Sequence, residues 1–252
     1  MKLLVAFLAL LLGNPVADTD HSRAGVPTGP EPEFVFRFDR PPDVVGDQQQ
    51  YPAGGALGAV GDVLTGNRGA IQRVPDESGG VALRFPAPCR GSGAECPRAI
   101  VEVPHTPGLN PGGRSFSFGA TVLLQPGETT RGSNVMQKGR FRTPGAQWKL
   151  QIDGTAGRPS CVFRGGPGRR GPSVTATSPV SVATGSWHRV RCVMTARQAA
   201  VVVDGLETSV RAASVRALSN SAPVRLGGPG LGVGDDQYHG RLDDVFLRIP
   251  AG

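Results

Sequence analysis

The sequence predicts an all-β protein built as an antiparallel β-sandwich. Its 252 residues include 37 glycines and 23 prolines, which argue against long helices because glycine permits positive φ and proline breaks helices. Hydrophobic residues still make up 38% of the chain, too large a share for a disordered Gly/Pro-rich chain. Short alternating runs separated by turn residues are typical of a sandwich rather than of βαβ units, and we expect about 12 to 14 strands.

The N-terminus has the pattern of a secretory signal peptide, predicted here as residues 1–17. An uncharged apolar run from Leu3 to Leu12 follows Lys2, and Ala17 offers a small residue for cleavage. About ten apolar residues are too few to cross a bilayer, which takes roughly 20, but they match a signal-peptide core. A buried N-terminal strand or helix is the alternative. Since no second such run follows, we expect a soluble, secreted mature protein without a transmembrane segment.

The strands are predicted in order along one domain, residues 34–249, after a flexible polar leader at 18–33. The first is 34–39, where Phe34, Phe36 and Phe38 fall on one face. Residues 40–68 predict a long loop around a short strand near 57–64. Asp204-Gly205 between two β-prone runs predicts a type I′ hairpin, because both residues tolerate positive φ. The remaining strands are expected at 69–74, 80–86, 99–103, 115–124, 134–138, 147–153, 160–164, 173–177, 187–195, 223–226 and 238–249.

The four cysteines of an exported chain predict two disulfides, for which three pairings are possible. Cys89 and Cys96 flank a short loop, so a local bridge between them is the simplest choice. That choice leaves Cys161 to pair with Cys192, each inside a strand-like segment. A cysteine metal site is the alternative, and it has little support because the chain has no CxxC motif or nearby His pair.

The formal net charge of +7 comes almost entirely from arginine. A basic balance can indicate a nucleic acid or an anionic glycan as partner. The arginines are spread singly apart from Arg169-Arg170, and few aromatic residues lie between them. We therefore interpret them as side chains on solvated strand faces and expect no nucleic-acid partner, with a polyanion groove as the alternative.

Several motifs in the C-terminal half occur in a characteristic order. The segments are Gly185–Val190, Ala200–Gly205, Ser221–Gly228 and His239–Ile249, with Met136–Gly139, Trp148–Asp153 and Ser160–Phe163 in the middle strands. On these segments the chain resembles a laminin-G-like domain of the concanavalin A-like jelly-roll superfamily, in its secreted bacterial form, over about residues 34–249. The resemblance implies a concanavalin A-like jelly roll.

Asp243 is the leading candidate for a metal ligand. Two-residue alternation in the last strand places it on one face with the apolar residues of 245–249. A carboxylate there needs N–H donors, an arginine or a hard cation such as Ca²⁺. The resemblance implies a structural calcium near this point, and we nominate Asp39 and Asp76 as the acidic partners. An aspartate satisfied by backbone N–H groups is the alternative.

No motif marks the chain as an enzyme. A glycosidase needs two carboxylates about 5–9 Å apart across a cleft, and the resemblance implies a Glu-x-Asp-x-x-Glu strand for the superfamily's hydrolases, which this sequence lacks. The adjacent pairs Asp235-Asp236 and Asp243-Asp244 are expected to point to opposite strand faces. The histidines accompany no recognisable nucleophile motif, and we interpret His188 as a strand-surface residue.

The sequence does not identify ligand-binding residues. Alternation over 147–153 places Trp148, Leu150 and Ile152 inward and Lys149 outward. Trp148 and Trp187 are candidates for stacking on sugars, but we interpret both as core residues. We expect a non-catalytic binding module for carbohydrate or an extracellular surface component, using loops at one edge of the sandwich or its concave sheet. A structural or protein-interaction domain and a polysaccharide hydrolase with unrecognised carboxylates are the alternatives.

Overall fold

The computed structural model describes residues 31–89, 93–130, 132–140, 145–166, 171–212, 214–232 and 236–250. The predicted signal peptide and most of the predicted leader lie outside these residues, as do Arg169-Arg170 and Asp235, so those interpretations stay predictions. Over the described ranges, no helix is both long and apolar enough to cross a membrane.

The described residues form 17 strands and one short 3₁₀ helix, Pro107–Leu109. The prediction of an all-β antiparallel sandwich is confirmed, with more strands than expected. The strands are β1 (Phe34–Phe36), β2 (Asp43–Val45), β3 (Gln48–Pro52), β4 (Val60–Gly66), β5 (Gln72–Pro75), β6 (Val81–Arg84), β7 (Arg98–Val103), β8 (Phe116–Leu123), β9 (Ser133–Lys138), β10 (Gln147–Asp153), β11 (Arg158–Arg164), β12 (Ser173–Thr177), β13 (Trp187–Met194), β14 (Gln198–Val203), β15 (Leu206–Arg211), β16 (Val224–Leu226) and β17 (Arg241–Arg248).

The strands form two antiparallel sheets that pack face to face as a jelly roll. The eight-stranded sheet has the order β15-β14-β13-β8-β17-β6-β5, and β1 also pairs with β17. The nine-stranded sheet has the order β12-β11-β10-β9-β16-β7-β4-β3-β2. Most neighbours in the centre of each sheet are distant in sequence, so long-range pairing holds the sandwich together.

The core between the sheets is centred on aromatic side chains. Phe116 and Phe118 of the eight-stranded sheet contact Trp148 and Phe163 of the nine-stranded sheet, and the ring centroids of Phe118 and Trp148 are 4.5 Å apart. Trp148 is only 1% exposed, so it belongs to the core and offers no stacking surface to a sugar. The predicted alternation of β10 is confirmed, because Leu150 is buried beside Trp148 while Lys149 is partly exposed.

Two local predictions have opposite outcomes. Asp204 and Gly205 have φ of 48° and 90° and join β14 to β15, as the predicted type I′ hairpin requires. The long loop expected over 40–68 is wrong in part, because β2 and β3 form a hairpin within it. Its strand residues include three consecutive glutamines, which form backbone pairs at the sheet edge without showing an apolar alternation.

The last strand contains a β-bulge that changes which side chains face the core. The register of β17 against β8 shifts between Asp243 and Phe246, and Asp244 has a φ of 46°. Leu242 pairs with core residue Val122 before the bulge, whereas the core residues after it are Val245, Leu247 and Ile249. The prediction that Asp243 shares the face of residues 245–249 is therefore wrong, because the extra residue reverses the alternation.

Both predicted disulfides are present. Cys89 pairs with Cys96, and Cys161 pairs with Cys192, at Cα–Cα distances of 5.5 Å in each case. Cys161 belongs to β11 and Cys192 to β13, so the second bridge joins the two sheets across the core. It lies next to the aromatic centre and closes a segment of 31 residues.

Removing the bridge between the sheets should destabilise the domain more than removing the local one. We expect Cys161→Ala/Cys192→Ala to lower the free energy of unfolding by about 3–4 kcal/mol and Cys89→Ala/Cys96→Ala by about 2–3 kcal/mol, because the longer loop loses more chain entropy on closure. Urea unfolding of both double variants measures the difference. A larger loss from the Cys89/Cys96 variant would contradict this role of the cross-sheet bridge.

Candidate functional site

The outward face of the nine-stranded sheet carries a line of polar side chains that crosses six strands. Directly paired residues of adjacent strands point to the same face, and each of these residues is paired with the next. At a strand spacing of about 4.8 Å the line spans about 24 Å. We call these residues the polar row; in spatial order they are Gln50, Asp62, Glu102, Arg225, Gln137 and Lys149.

The polar row faces outward because the alternate side chains of the same strands point into the core. Glu102 lies between the buried Val101 and Val103, and Lys149 lies between Trp148 and Leu150. Folding of the core therefore determines to which face the side chains of the polar row point, since neighbouring residues of a strand point to opposite faces.

Hydrogen bonds hold the side chains of the polar row in place. Gln50 Nε2 donates to Asp62 Oδ1 at 2.8 Å. Arg225 Nε donates to Glu102 Oε2 at 2.7 Å, and its Nη1 donates to the Pro229 carbonyl at 2.9 Å. These contacts order the groups before any ligand arrives, which lowers the entropic cost of binding.

The middle of the polar row is recessed. Gln137 is only 2% exposed although it faces outward, and so is its neighbour Asn134, which donates to Gln137 Oε1 at 3.1 Å. The Asn134 N–H donates to the Asp236 carbonyl at 3.0 Å, so the segment before β17 lies against this part of the sheet. Glu102 and Arg225 keep about a quarter of their side-chain surface exposed.

Lys149 supplies a cation at one end of the polar row. Its Nζ is 3.5 Å from Asn134 Oδ1. Burial lowers the pKa of Lys149, while the carboxylates of Asp236 and Asp153 act in the opposite direction and favour the ammonium form. Asp153 accepts hydrogen bonds from the Gln151 amide and from Ser160 Oγ.

A second polar site lies on the outward face of the eight-stranded sheet. It is a cavity of about 60 Å³, here called the acid pocket, lined among others by Asp76, Ser78, Trp187, Asp243 and Asp244. The expectation that Asp243 and Asp244 point to opposite faces is wrong, because the bulge directs both toward this pocket. Asp243 is only 4% exposed.

The structure brings together two of the three nominated metal ligands. A side-chain hydrogen bond joins Asp76 and Asp243. Asp39 Oδ1 accepts the Val81 N–H at 3.1 Å, so Asp39 contacts the end of the same turn but lines a different depression. Among the described ranges, no group of three or more His, Cys, Asp or Glu side chains is placed to hold a metal ion.

The Asp76–Asp243 contact has a chemical requirement of its own. Two carboxylates within hydrogen-bond distance need a proton or a cation between them, because like charges repel. Burial alone would raise the pKa of Asp76, but the N–H groups of Ser78 and Gly80, both at 2.7 Å, and a further bond from Ser78 Oγ hold it below its usual value. The pair therefore needs either a shared proton or a cation.

Trp187 and His188 occupy different environments at the start of β13. Trp187 is partly exposed and lines the acid pocket. His188 is more than a strand-surface residue: its Nδ1 lies 2.6 Å from Asp204 Oδ2 and its Nε2 lies 2.7 Å from Thr184 Oγ1. Since Asp204 also accepts the Arg189 N–H at 2.7 Å, these contacts close the β14–β15 hairpin onto the start of β13.

Lys138 is a buried cation next to the polar row. Its side chain is 0% exposed, and its Nζ donates to the carbonyls of Asn220 at 3.1 Å and Ala222 at 2.5 Å and lies 3.1 Å from His105 Nδ1. Burial lowers the pKa of Lys138 to about 8.

Comparison with known proteins places this fold in a family. A laminin G family model, described as the concanavalin A-like lectin/glucanases superfamily, matches residues 101–247, more than half of the chain. No curated protein matches the sequence.

Solved structures share the fold at low sequence identity. The binding domain of botulinum neurotoxin DC in complex with SialylT has a TM-score of 0.56 and 8% identity, covering 88% of this chain and 48% of its own. The same domain in complex with rat synaptotagmin II has a TM-score of 0.55 and 9% identity, covering 84% and 48%. This chain thus spans about half the length of those domains.

A third structure matches along nearly its whole length. Domain 4 of AbnA, a GH43 extracellular arabinanase from Geobacillus stearothermophilus, in complex with arabinotriose, has a TM-score of 0.56 and 15% identity, covering 86% of this chain and 92% of its own. At these identities the likeness extends to the fold alone.

Lys138 makes stability depend on pH in a defined window. The folded pKa is about 8 and the unfolded value is about 10.4, so between them the unfolded chain binds more protons and stability rises with pH. We expect a gain of about 1–2 kcal/mol from pH 8 to 10 in urea unfolding. Lys138→Arg should flatten most of this rise, because arginine does not titrate there. An equal slope in both proteins would contradict the assignment.

Proposed function

The chain belongs to the concanavalin A-like lectin/glucanases superfamily, and on that premise we propose that it is a secreted, non-catalytic carbohydrate-binding module whose ligand lies along the polar row. The observation that carries the proposal is the polar row itself, an ordered line of donors and acceptors about 24 Å long at normal strand spacing. A linear glycan crossing the strands would meet the five partly exposed members of the row and pass over the buried Gln137.

The chemistry of the polar row suits sugar hydroxyls. Lys149 and Arg225 donate, and Asp62 and Glu102 accept. A hydroxyl both donates and accepts, so adjacent hydroxyls of one sugar can pair with neighbouring members of the row. Charge-assisted bonds from the ionised members are the stronger ones.

The charges of the polar row favour a neutral glycan over a polyanion. Its two cations are matched by two carboxylates, and Arg225 already binds Glu102 at 2.7 Å. Asp153 and Asp236 add negative charge beside Lys149. A nucleic acid or a sulfated chain would need an excess of cations along its path.

The structural neighbours support carbohydrate as the ligand class. One neurotoxin binding domain is in complex with SialylT, and the arabinanase domain is in complex with arabinotriose. Two domains of this fold, each with low sequence identity to this chain, are therefore in complex with a sugar. The complex of the neurotoxin domain with rat synaptotagmin II favours a second candidate, a protein-interaction domain.

The contacts of the polar row support binding without hydrolysis. A glycosidase needs a protonated carboxyl beside the glycosidic oxygen and a second carboxylate across the cleft. The Glu102 carboxylate is bound by Arg225, and the Asp62 carboxylate is bound by the Gln50 amide. Both are thus held as hydrogen-bond acceptors.

We also propose a structural Ca²⁺ at the Asp76–Asp243 pair. Carboxylate oxygens are the ligands that Ca²⁺ prefers, and the ion would remove the repulsion between the two side chains. The bulge at Asp244 and the turn at 76–81 would then be tied together. Asp39 stays a nominated partner through its contact with the end of that turn.

Binding should depend on the polar row and not on the opposite sheet. We expect a glycan array and calorimetry to show binding to a neutral glycan that Lys149→Gln weakens by about tenfold or more, since a charge-assisted bond is lost. Arg189→Gln, on the eight-stranded sheet, is the matched control and should bind normally. Failure to bind any glycan on the array would favour the protein-interaction domain and overturn the proposal.

The protein should not cleave polysaccharide chains. We expect no release of reducing sugar from any polysaccharide that the array identifies. Turnover that is lost in Glu102→Gln would show the protein to be a hydrolase and contradict the non-catalytic assignment.

Calcium should raise thermal stability through the acid pocket. At a Ca²⁺ concentration about 100 times its Kd the gain is about 2.7 kcal/mol, or roughly 2–4 °C in Tm for each kcal/mol, and EDTA should reverse it. Asp243→Asn should remove the response, while Asp39→Asn tests whether Asp39 takes part. An unchanged Tm with Ca²⁺ and with EDTA would leave the carboxylates sharing a proton and end the calcium proposal.

A further inference from the structure

A cavity of about 220 Å³ opens beside the Gln50–Asp62 end of the polar row. Its lining combines an apolar part, which includes Leu57, Val60 and Leu109, with a polar part, which includes Gln50, Asp62 and Thr106. Val60 and Asp62 are two residues apart on β4 and share its outward face. The cavity, here called the edge cavity, is therefore continuous with the polar row.

The apolar side of the edge cavity is exposed to solvent in part. Leu57 and Val60 are each 38% exposed, whereas Leu109 is 1% exposed and belongs to the core. Large hydrophobic side chains at this level of exposure are few among the described residues. A ligand methyl group placed between Leu57 and Val60 would remove apolar surface from water.

The position of Leu57 is determined by its packing partners. Its backbone N–H donates to the Glu33 carbonyl at 3.0 Å. Its side chain lies against Gly108, where an added Cβ would come within 2.7 Å of Leu57 Cδ2. Gly108 belongs to the 3₁₀ helix Pro107–Leu109, so a short loop and this helix form the apolar wall before a ligand binds.

The polar side of the edge cavity presents mainly acceptors. Asp62 Oδ1 accepts from Gln50 Nε2 at 2.8 Å, and Asp62 Oδ2 and Gln50 Oε1 are further acceptor atoms of the lining residues. Thr106 adds a hydroxyl that can donate. Within the described structure no basic side chain lines the cavity, so Asp62 would repel an anionic substituent there.

We propose that the edge cavity is a subsite for the acetamido group of an N-acetylated hexosamine in a glycan bound along the polar row. The proposal rests on the proposed function and names the sugar class at one end of the site. An acetamido group carries a donor, an acceptor and a methyl group within a few bonds. Its N–H pairs with Asp62, its carbonyl accepts from the Thr106 hydroxyl, and its methyl packs between Leu57 and Val60.

The size and charge of the edge cavity favour the acetamido group over other substituents of a sugar. Its volume of about 220 Å³ is below the roughly 300–1,000 Å³ of pockets that enclose a whole drug-sized ligand, so it holds at most one sugar unit with its substituent. A hydroxyl in the cavity would leave the side chains of Leu57 and Val60 exposed to water. A carboxylate or sulfate would be repelled by the Asp62 carboxylate. The methyl of a 6-deoxy sugar would fill the wall but place no amide donor beside Asp62.

The test compares sugars that differ only in this substituent. Methyl NMR spectra are recorded with N-acetylglucosamine, N-acetylgalactosamine, glucose and fucose up to about 100 mM, because a single subsite binds in the millimolar range. We expect the N-acetylated sugars to shift the methyl signals of Leu57, Val60 and Leu109, and glucose to leave them in place. No shift with either N-acetylated sugar, or a larger effect of fucose, would overturn the subsite.

Variants then separate this subsite from the polar row. We expect Gly108→Ala, which displaces only the end of the Leu57 side chain, and Asp62→Asn to weaken binding of N-acetylglucosamine at least fivefold. Arg189→Gln, on the opposite sheet, should leave this monosaccharide response unchanged. Heteronuclear spectra confirm that each variant is folded, and an unchanged affinity in folded Gly108→Ala and Asp62→Asn would overturn the proposal.

Failure of the subsite and failure of the proposed function give different results. If longer glycans bind in a manner that depends on Lys149 but N-acetylated and plain sugars are equivalent, the polar row stands and the edge cavity is excluded. If N-acetylated sugars bind the edge cavity but no glycan depends on Lys149, the subsite exists and the assignment of the row is wrong.

Discussion

Packing between the two sheets around Trp148 is the interaction on which the other features depend. The Trp148 ring contacts Phe116 and Phe118 of the opposite sheet, and the Cys161–Cys192 bridge joins the same two layers. Because Trp148 points inward, its neighbour Lys149 must point outward. The same alternation in β7 and β16 brings Glu102 and Arg225 to the same outward face. A well-packed interior thus produces an ordered polar exterior on the sheet that carries the candidate site.

The sequence predicted features that depend on local residue patterns. The sandwich, the inward direction of Trp148, the hairpin at Asp204 and both disulfides follow from alternation, turn chemistry and the spacing of cysteines. The sequence does not indicate the edge hairpin that contains β2, because β2 is fully exposed and neither β2 nor β3 alternates between apolar and polar residues. Such strands form through backbone hydrogen bonds alone, and the types of their residues give little indication of these hydrogen bonds.

The sites depend on long-range register and were not predicted in this form. Glu102 and Arg225 are 123 residues apart in sequence, and no single-strand pattern shows that β7 and β16 are neighbours. The sequence pattern does not show the bulge in β17 either. Its one extra residue reverses which faces the following side chains occupy. It explains why Asp243 is buried as expected and yet lies on the outer side, where it meets Asp76. The acid pocket and the polar row consequently lie on opposite sheets, so a cation and a glycan would act on the domain independently.

The scarcity of lysine has a practical consequence. Lysine occurs only at positions 2, 138 and 149, the first lies within the predicted signal peptide, and the Lys138 side chain is fully buried. If the predicted signal peptide is removed, acylating reagents would find one partly accessible side-chain amine, on Lys149, within the candidate site itself. Coupling the protein to a sensor surface or a dye through side-chain amines would then modify Lys149 in the candidate site. Attachment through an added cysteine or a terminal tag would keep the site intact.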